Sequence, residues 1–482
     1  MTCMVFPVAL LTLLAAAADP VPRYANTFEL ELRSGRAELE WINTGAFRFT
    51  HVKEYDRSRK PVNEERVDVA CSTEAQGYTC RTRHIVVRIS DSGAVQVETP
   101  GGKKLLAPDT GAGERFYGLG ARNSPRLDLN GQRIETSNGL LISTAGYGEY
   151  RPSACVYDFT GPRRSVECEG DYYFYYGPTP KEILESHAMV EPTEARPQWL
   201  VWPHRERRTW KDLRENIYAV QHASMSGEAG APFVLGGYEG EALERARQIA
   251  ALMPVVHAPG AAQPELRKRL QPYLETYAWE ARDLGIPIIR PLAMQFPEDQ
   301  AAAARTDVFM VGDEMLVAPV FDSASALKLY LPRGIWTELR TGEVYRGRQE
   351  IEIKAPPDWT PVFVRNGMIV PFAGEPLEMH YFPRLGGEFF LWEPDLDEIS
   401  QFHAAPAAEF MRLESESARD RVFDWVVHHT PPCKRVTQGE RVYRRVARRE
   451  QLAPGAWMVD GDGVRIRVRA SAGGDEIVHL EW

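Results

Sequence analysis

The chain has 482 residues, of which 44% are hydrophobic and 10% aromatic. These are values of a globular protein with about two to four domains. The formal net charge of −10 argues against a nucleic-acid-binding protein. No segment beyond the N-terminus is apolar enough to predict a membrane span.

The N-terminal apolar run predicts an export signal. Residues 5–18 are mostly apolar and end in a run of alanines before Asp19 and Pro20. The run is too short to span a membrane, and its end is typical of a signal-peptide cleavage site. We therefore expect residues 1–18 to be a signal peptide and the protein to be secreted or periplasmic.

The cysteines suit an exported protein. Cys71 with Cys80, and Cys155 with Cys168, are close pairs that we predict to form hairpin disulfides. Cys433 is left over, and the remaining cysteine lies in the predicted signal peptide. Because no pair has a Cys-x-x-Cys spacing, we expect no zinc. His187, His204 and His222 show no metal-ligand spacing either, and we expect no metal and no cofactor.

Alternating strands predict a β-sandwich over residues 24–191. Residues 28–32, 47–52 and 84–89 alternate apolar and polar side chains with a period of two. Clusters of Gly, Pro, Asn and Ser separate them, as in a sandwich. The aromatic run at 172–176 is either a core strand, the more usual case, or a platform for a sugar.

A short α/β segment follows at residues 196–305. Apolar periodicity predicts helices at residues 209–223, 241–252 and 266–284, and strands at 232–235, 253–257 and 286–292. About a hundred residues precede the last of these strands, whereas a closed (β/α)8 barrel takes roughly 250. The segment therefore predicts a truncated barrel remnant of about three βα units.

The rest of the chain is predicted to be β-rich. We expect a proximal β-sandwich at residues 306–375 and a distal β-domain at residues 376–482. Strand-like segments lie at residues 327–342, 361–371, 388–393 and 464–469. The arginine-rich run at 441–449 is interpreted as a solvated basic face, with binding of an acidic polymer as the alternative.

Motifs in consecutive order carry a family resemblance. Residues 285–291 read Gly-Ile-Pro-Ile-Ile-Arg-Pro, residues 296–299 read Phe-Pro-Glu-Asp, and residues 309–320 read Phe-Met-Val-Gly-Asp-Glu-Met-Leu-Val-Ala-Pro-Val. They resemble the last barrel strand and its exit in glycoside hydrolase family 31, the α-glucosidases and α-xylosidases. Residues 115–120, Arg-Phe-Tyr-Gly-Leu-Gly, resemble a motif of the same family's N-terminal sandwich.

The resemblance implies a multidomain β plus α/β fold. Its parts would be an N-terminal galactose-mutarotase-like β-sandwich, a (β/α)8 TIM barrel and C-terminal β-sandwich domains. In this chain the barrel would carry a large internal deletion. Fold alone does not fix activity, so the site residues must be considered one by one.

The chain departs from the family at its catalytic positions. The barrel segment that carries the nucleophile Asp has no counterpart, and Arg205 takes the place of the acid/base Asp. Val234 replaces a sugar-binding Asp, and Val255 replaces the Arg of an Arg-x-His pair whose His is retained as His257. A retaining glycosidase needs two carboxyl groups about 5–5.5 Å apart, so we expect impaired catalysis.

Glu206 is the one weak catalytic candidate. Three arginines flank it, and such neighbours lower the pKa of a carboxyl group, the wrong direction for a general acid. Glu239, Glu241 and the pair Glu298–Asp299 are interpreted as solvated or capping acids.

Trp202, Tyr238 and His257 are the candidate substrate contacts. Aromatic faces and an imidazole suit a pyranose ring, although a lone His257 is more often structural. The sequence leaves open an impaired α-glycosidase or a non-catalytic protein that holds a carbohydrate or a protein partner. We expect weak binding of an α-glucoside or α-xyloside, and the sequence does not predict an oligomeric state.

Overall fold

The protein is mostly β in its described parts. The computed structural model describes residues 21–24, 26–53, 61–107, 113–137, 139–191, 207–257 and 265–482. The helices within these residues are Pro180–Val190, Trp210–Met225, Gly240–Ala250, Glu265–Arg269, Gln271–Asp283, Leu292–Gln295 and Gln300–Ala303, with a 3₁₀ turn at Arg449–Gln451. No described helix is both long and apolar enough to cross a membrane. The predicted signal peptide lies outside the described residues.

The N-terminal part is built around one eight-stranded antiparallel sheet. In spatial order its strands are Val21–Tyr24, Thr27–Leu32, Gly35–Asn43, Ala46–Val52, Tyr172–Tyr176, Tyr147–Arg151, Gly139–Ser143 and Phe116–Gly118. A five-stranded sheet contains Ala70–Glu74, Gly77–Arg81, Val86–Ser90, Val95–Glu98 and Lys104–Leu106. A three-stranded sheet contains Arg133–Thr136, Cys155–Asp158 and Ser165–Cys168.

The large sheet is buried on both faces. Trp41 and Phe174 pack with Ile89 of the five-stranded sheet. On the other face Tyr173 and Tyr175 pack in one cluster with residues of helix Pro180–Val190. The aromatic run at 172–176 is therefore a core strand, and the reading as an open sugar platform does not hold.

Both predicted disulfides are formed. Cys71 and Cys80 stand opposite each other in a hairpin with a Cα–Cα distance of 4.1 Å. Cys155 and Cys168 do the same with a Cα–Cα distance of 4.7 Å. Cys433 is buried without a disulfide partner. Each bridge joins adjacent strands of a sandwich sheet.

Local sequence explains how helix Pro180–Val190 starts. Pro180 occupies its first turn, where its missing N–H is not needed. The backbone N–H and the hydroxyl of Thr179 donate to Glu182 at 2.8 and 2.9 Å, which caps the free end. The other end of this helix meets Gly285, whose φ is +70° and where a Cβ would lie 2.6 Å from that of Ala188. The glycine therefore permits both the turn and the close approach.

The α/β segment contains a two-stranded parallel sheet, Phe233–Val234 with Val256–His257. Helices Trp210–Met225 and Gly240–Ala250 flank it, close to their predicted bounds. The helix predicted at residues 266–284 is interrupted at Leu270 into two pieces. The truncated barrel remains a prediction.

The strand predicted at residues 286–292 pairs differently from the expectation. Only Ile289–Pro291 is a strand, and it pairs antiparallel with Phe309–Val311 at the edge of a six-stranded sheet. A barrel strand would lie between parallel neighbours. Pro287 and Pro291 have no N–H to give to a second neighbour, which favours an edge position.

The C-terminal half consists of antiparallel and mixed sheets. The first six-stranded sheet runs Ile289–Pro291, Phe309–Val311, Met315–Val317, Val362–Arg365, Ile335–Glu338 and Val344–Arg346. A two-stranded sheet, Ala326–Leu331 with Gln349–Lys354, shares its core.

Two further six-stranded sheets follow. One contains Met368–Phe372, Leu377–Phe382, Arg421–Val427, Gly463–Ala470, Ala456–Asp460 and Arg444–Arg445. The other contains Gly387–Glu393, Glu398–Pro406, Phe410–Ser417, Gly474–Glu481, Arg435–Gln438 and Arg441–Val442. One continuous apolar core joins these sheets to the helices of the α/β segment. The domain boundaries at residues 191, 305 and 375 remain predictions.

The arginine-rich run at 441–449 is partly structural. Arg444 and Arg445 are exposed. Arg449 donates to Glu378 at 2.5 Å, and Arg465 donates to the same carboxylate at 2.7 Å. One end of the run therefore anchors the distal sheets, and its exposed part agrees with a solvated basic face.

Candidate functional site

The parallel strand pair marks where an α/β site would lie. Val234 stands opposite His257 in the register, and the chain leaves the first strand through residues 235–239. In α/β folds, ligands bind beyond the carboxyl ends of parallel strands. Val234, Tyr238 and His257 are thus brought to one end of this pair. Trp202, Arg205 and Glu206 lie outside the described residues.

Val234 presents an aliphatic group at this end. It is 7% exposed, and its carbonyl accepts a hydrogen bond of 3.0 Å from the Asn216 side chain. Asn216 is itself fully buried in helix Trp210–Met225. The contact fixes the strand to the helix, whereas the valine side chain offers a sugar hydroxyl no hydrogen bond.

Tyr238 is buried, unlike the open sugar contact expected from the sequence. It is 4% exposed and belongs to the same apolar core as Leu213, Ile217 and Phe233. Burial raises the pKa of its hydroxyl to about 12. The ring therefore packs against the helix instead of facing a ligand.

The acids near this end have structural roles or face solvent. Asp212 accepts hydrogen bonds of 2.7 Å from both the backbone N–H and the hydroxyl of Thr209, which caps helix Trp210–Met225. Glu239 and Glu241 are exposed at the start of the next helix. This agrees with the interpretation of Glu239 and Glu241 as solvated or capping acids.

The acids after the last α/β strand behave in the same way. Asp299 accepts from the Ala302 backbone N–H at 3.2 Å and from the Tyr330 hydroxyl at 3.0 Å. Glu298 is exposed. Neither is poised for a proton transfer to a ligand at the strand pair.

A cleft that the sequence did not reveal lies along helix Gln271–Asp283, on the side of the helix away from the parallel strand pair. It has a volume of about 590 Å³ and is bounded by the edge strand Gly387–Glu393. Trp279 on the helix stacks on Trp392 of the strand, with ring centroids 5.0 Å apart and planes inclined by 14°. Phe390 is 43% exposed at its rim. Half-exposed aromatic rings are suited to stack on a flat apolar face of a ligand.

Alternating exposed and buried apolar side chains along strand Gly387–Glu393 are the sequence signal that could have indicated one wall of this cleft. Phe390 and Trp392 alternate with Phe389 and Leu391, which are 4% and 3% exposed. The strand therefore buries one aromatic face and presents the other.

The floor of the cleft is a charged network. Asp313 accepts from Arg290 at 2.5 Å, from Gln295 at 2.7 Å and from Lys181. Arg290 is fully buried and also donates to Glu280 at 2.8 Å. Burial raises the pKa of Asp313, but the two cations outweigh it and hold that pKa well below its usual range.

Glu314 lies beside this network in a different environment. The hydroxyls of Tyr273 and Tyr277 each donate to its carboxylate at 2.7 Å. Burial, followed by the negative charge of Asp313, raises the pKa of Glu314 to about 7. The floor thus combines a firmly ionised carboxylate with one that titrates near neutrality.

Comparison with known proteins gives one domain match. Residues 285–370 match the model of the glycosyl hydrolase family 31 C-terminal domain. The match covers the strand Ile289–Pro291 and much of the first C-terminal sheet.

Curated relatives match over a limited stretch. An α-glucosidase 2 from Bacillus thermoamyloliquefaciens is 29% identical over 195 residues, which are 35% of this chain and 25% of that protein. A probable glucan 1,3-α-glucosidase from Arabidopsis thaliana is 30% identical over 197 residues, which are 36% of this chain and 21% of that protein. The chain thus spans a quarter or less of the length of these relatives.

The fold is shared more widely than the sequence. A family 31 dextranase from Flavobacterium johnsoniae, solved with glucose, superposes with a TM-score of 0.79 at 15% identity. The superposition covers 95% of this chain and 98% of the dextranase. At this identity the likeness is one of fold alone.

Proposed function

Because this chain is a member of glycoside hydrolase family 31, we propose that it is a carbohydrate-directed protein with negligible glycosidase activity. One relative is named an α-glucosidase, and the dextranase was solved with glucose. We expect this chain to bind the same class of ligand as these proteins but not to hydrolyse it.

The residues around Val234 are the main observation in support of negligible glycosidase activity. At the carboxyl end of the parallel pair, a valine stands where the family places an acid that holds the sugar. The nearby carboxylate of Asp212 is engaged in a helix cap, and Glu239 is exposed. Of the side chains that the structure describes at this end, none is placed to hold a substrate hydroxyl in the way that positioning for attack demands.

Two further features of the sequence argue against covalent attack and against protonation of the leaving group. The segment with the nucleophile has no counterpart, so covalent attack on the anomeric carbon lacks its carboxylate. An arginine at position 205 has a pKa above 12 and cannot donate its proton usefully near neutrality. Positioning, attack and leaving-group protonation are therefore each affected by a different change.

Carbohydrate binding is assigned to the aromatic cleft and to the strand-pair end. The cleft combines the half-exposed rings of Trp279 and Phe390 with the polar side chains of Lys181, Glu280 and Glu388. Aromatic faces and directed polar groups together suit a pyranose ring. His257, at the strand-pair end, and Trp202, which lies outside the described residues, are proposed as weaker contacts.

Export forms part of the proposal. The two disulfides support a secreted or periplasmic location, because such bonds persist in oxidising compartments.

An assay of the purified chain on aryl α-glucosides and α-xylosides tests the proposal. We expect the wild type and Arg205→Asp both to be inert, since restoring an acid does not restore the nucleophile. Robust wild-type turnover that Glu206→Gln abolishes would overturn the proposal and make Glu206 the acid. A gain of turnover in Arg205→Asp alone would also contradict it, because it would reveal an intact nucleophile.

A further inference from the structure

A second cavity lies in the N-terminal sandwich, apart from the α/β segment. It has a volume of about 660 Å³ and opens over the strands Tyr147–Arg151 and Tyr172–Tyr176 of the large sheet. Phe49, Val95 and Leu106 contribute apolar walls. Its size is within the range of small-molecule sites.

Arg151 places a half-buried guanidinium group in the wall of the cavity. Its guanidinium carbon lies 4.5 Å from the ring centroid of Tyr172, so the planar group is stacked and held in place. Its Nε is buried and has no acceptor. Among the described residues no carboxylate forms an ion pair with Arg151. A half-buried cation of this kind normally has an acid beside it.

Tyr172 adds an unpaired donor at the same place. Its side chain is 6% exposed, and its hydroxyl is buried without a hydrogen-bond partner. Burial raises the pKa of this hydroxyl, with Arg151 and Arg164 opposing the rise, so it stays a neutral donor. An unpaired buried hydroxyl is unfavourable, and a ligand that brings an acceptor would relieve this cost.

The charge balance of the lining is positive. Arg164 and Glu149 form a buried ion pair and neutralise each other. Of the remaining charges, Arg151 is half-buried, whereas Glu169 is exposed and therefore screened by solvent. The cavity therefore attracts an anion more than a neutral molecule.

We propose that this cavity binds the carboxylate group of an acidic sugar, with Arg151 and Tyr172 as its donors. A guanidinium presents parallel N–H groups that match the two oxygens of a carboxylate. The Tyr172 hydroxyl supplies a further hydrogen bond, and the apolar walls cover the ring of the ligand. The choice of a sugar rests on the proposed function, whereas the choice of an anion rests on this cavity.

Calorimetric titration with glucuronate tests the proposal, with glucose, acetate and inorganic phosphate as separate ligands. We expect glucuronate to bind the wild type more tightly than acetate or phosphate, and glucose not to bind at this site. Arg151→Gln should weaken glucuronate binding at least about tenfold, since a charge-assisted contact is lost. Tyr172→Phe should weaken it less, roughly threefold to tenfold.

Two controls separate binding from folding. Arg133→Gln, at an exposed arginine near Asp158 in the same sandwich, should leave glucuronate affinity unchanged. Tyr172→Phe should keep or raise the melting temperature, because it removes an unpaired buried hydroxyl.

Several outcomes would overturn the proposal: no glucuronate binding, binding that Arg151→Gln leaves intact, or phosphate or acetate binding as tightly as glucuronate. These outcomes are independent of the aromatic cleft. Neutral-sugar binding at the cleft with no glucuronate binding would defeat this inference and leave the proposed function standing.

Discussion

Asp313 and Glu314 are neighbours in the chain, yet their pKa values move in opposite directions. The Arg290 and Lys181 cations overcome burial at Asp313, so its pKa falls. Within the described parts of the chain, the Glu314 carboxylate accepts from two neutral hydroxyls and a backbone N–H, and burial raises its pKa to about 7. Environments that separate two carboxyl pKa values in this way give the two groups different roles in pH-dependent stability.

Replacement of Glu314 should change how stability depends on pH. The folded-state pKa is about 7 against an ordinary value of 4.5, so its contribution is fully present below pH 4.5 and is lost as the pH rises through 7. The loss is on the order of 3 kcal/mol. Glu314→Gln should therefore flatten the unfolding free energy between these pH values, measured by urea denaturation. The exposed Glu298→Gln serves as the control, and identical pH profiles for wild type and Glu314→Gln would refute the prediction.

Removal of the Asp313 charge should destabilise the protein. Arg290 is fully buried, and Asp313→Asn leaves it with only Glu280 as a charged partner. We expect a loss on the order of 2 kcal/mol at neutral pH, with the partial exposure of Asp313 moderating the effect. Because the Asp313 pKa is depressed, its contribution is present above its ordinary pKa and is lost as the pH falls through the depressed value.

Asp358→Asn provides a matched comparison on the surface. Asp358 pairs with Arg340 at 3.0 Å but is 68% exposed, so its removal should change stability little. Equal effects of the two Asp→Asn variants would contradict the structural role of the buried network.

The Cys155–Cys168 bridge should contribute measurably to stability. It closes a loop with a sequence separation of 13, and bridges of this kind typically contribute about 2–4 kcal/mol. The double variant Cys155→Ala/Cys168→Ala should lower the melting temperature. Cys433→Ala should leave the effect of a reductant on melting unchanged, since that thiol is not bridged. Non-reducing peptide mapping that finds no linked Cys155–Cys168 peptide would exclude the bridge.

Phe390 should contribute to carbohydrate affinity. It is 43% exposed at the cleft, and Phe410 in the same sheet is 44% exposed outside the cleft lining. Loss of one stacking ring should weaken binding of isomaltose or xylose about three- to tenfold, corresponding to about 0.5–1.5 kcal/mol. Titration followed by tryptophan fluorescence should therefore separate Phe390→Ala from Phe410→Ala. Equal affinities in the two variants would remove the cleft from the proposed function.

Much of the local structure could be predicted because it depends on short-range patterns. The apolar positions of Leu213, Ile217 and Val220 specify helix Trp210–Met225, and cysteine spacing specified the bridges. The sequence predicts Tyr238 as an exposed substrate contact, but the structure buries it. Its burial depends on packing against helix Trp210–Met225, which the residues around Tyr238 do not reveal. The cleft escaped prediction because Trp279 and Phe390 are far apart in sequence and meet only through tertiary contacts. The alternation along Gly387–Glu393 indicates that one face of that strand is exposed, but it does not indicate which helix lies beside it.

The edge strand Ile289–Pro291 bears on how the molecule avoids self-association. The Gly312 N–H donates to the Ile288 carbonyl at 2.9 Å, and this register turns the backbone of Ile289 and Pro291 away from Phe309–Val311. Pro291 has no amide hydrogen, so that edge offers a single donor for an added strand. A strand with so few free donors is a poor template for sheet extension. The strand is also buried and packed against helix Trp210–Met225, so its surroundings as well as the proline of the Arg-Pro motif protect it from edge-to-edge pairing.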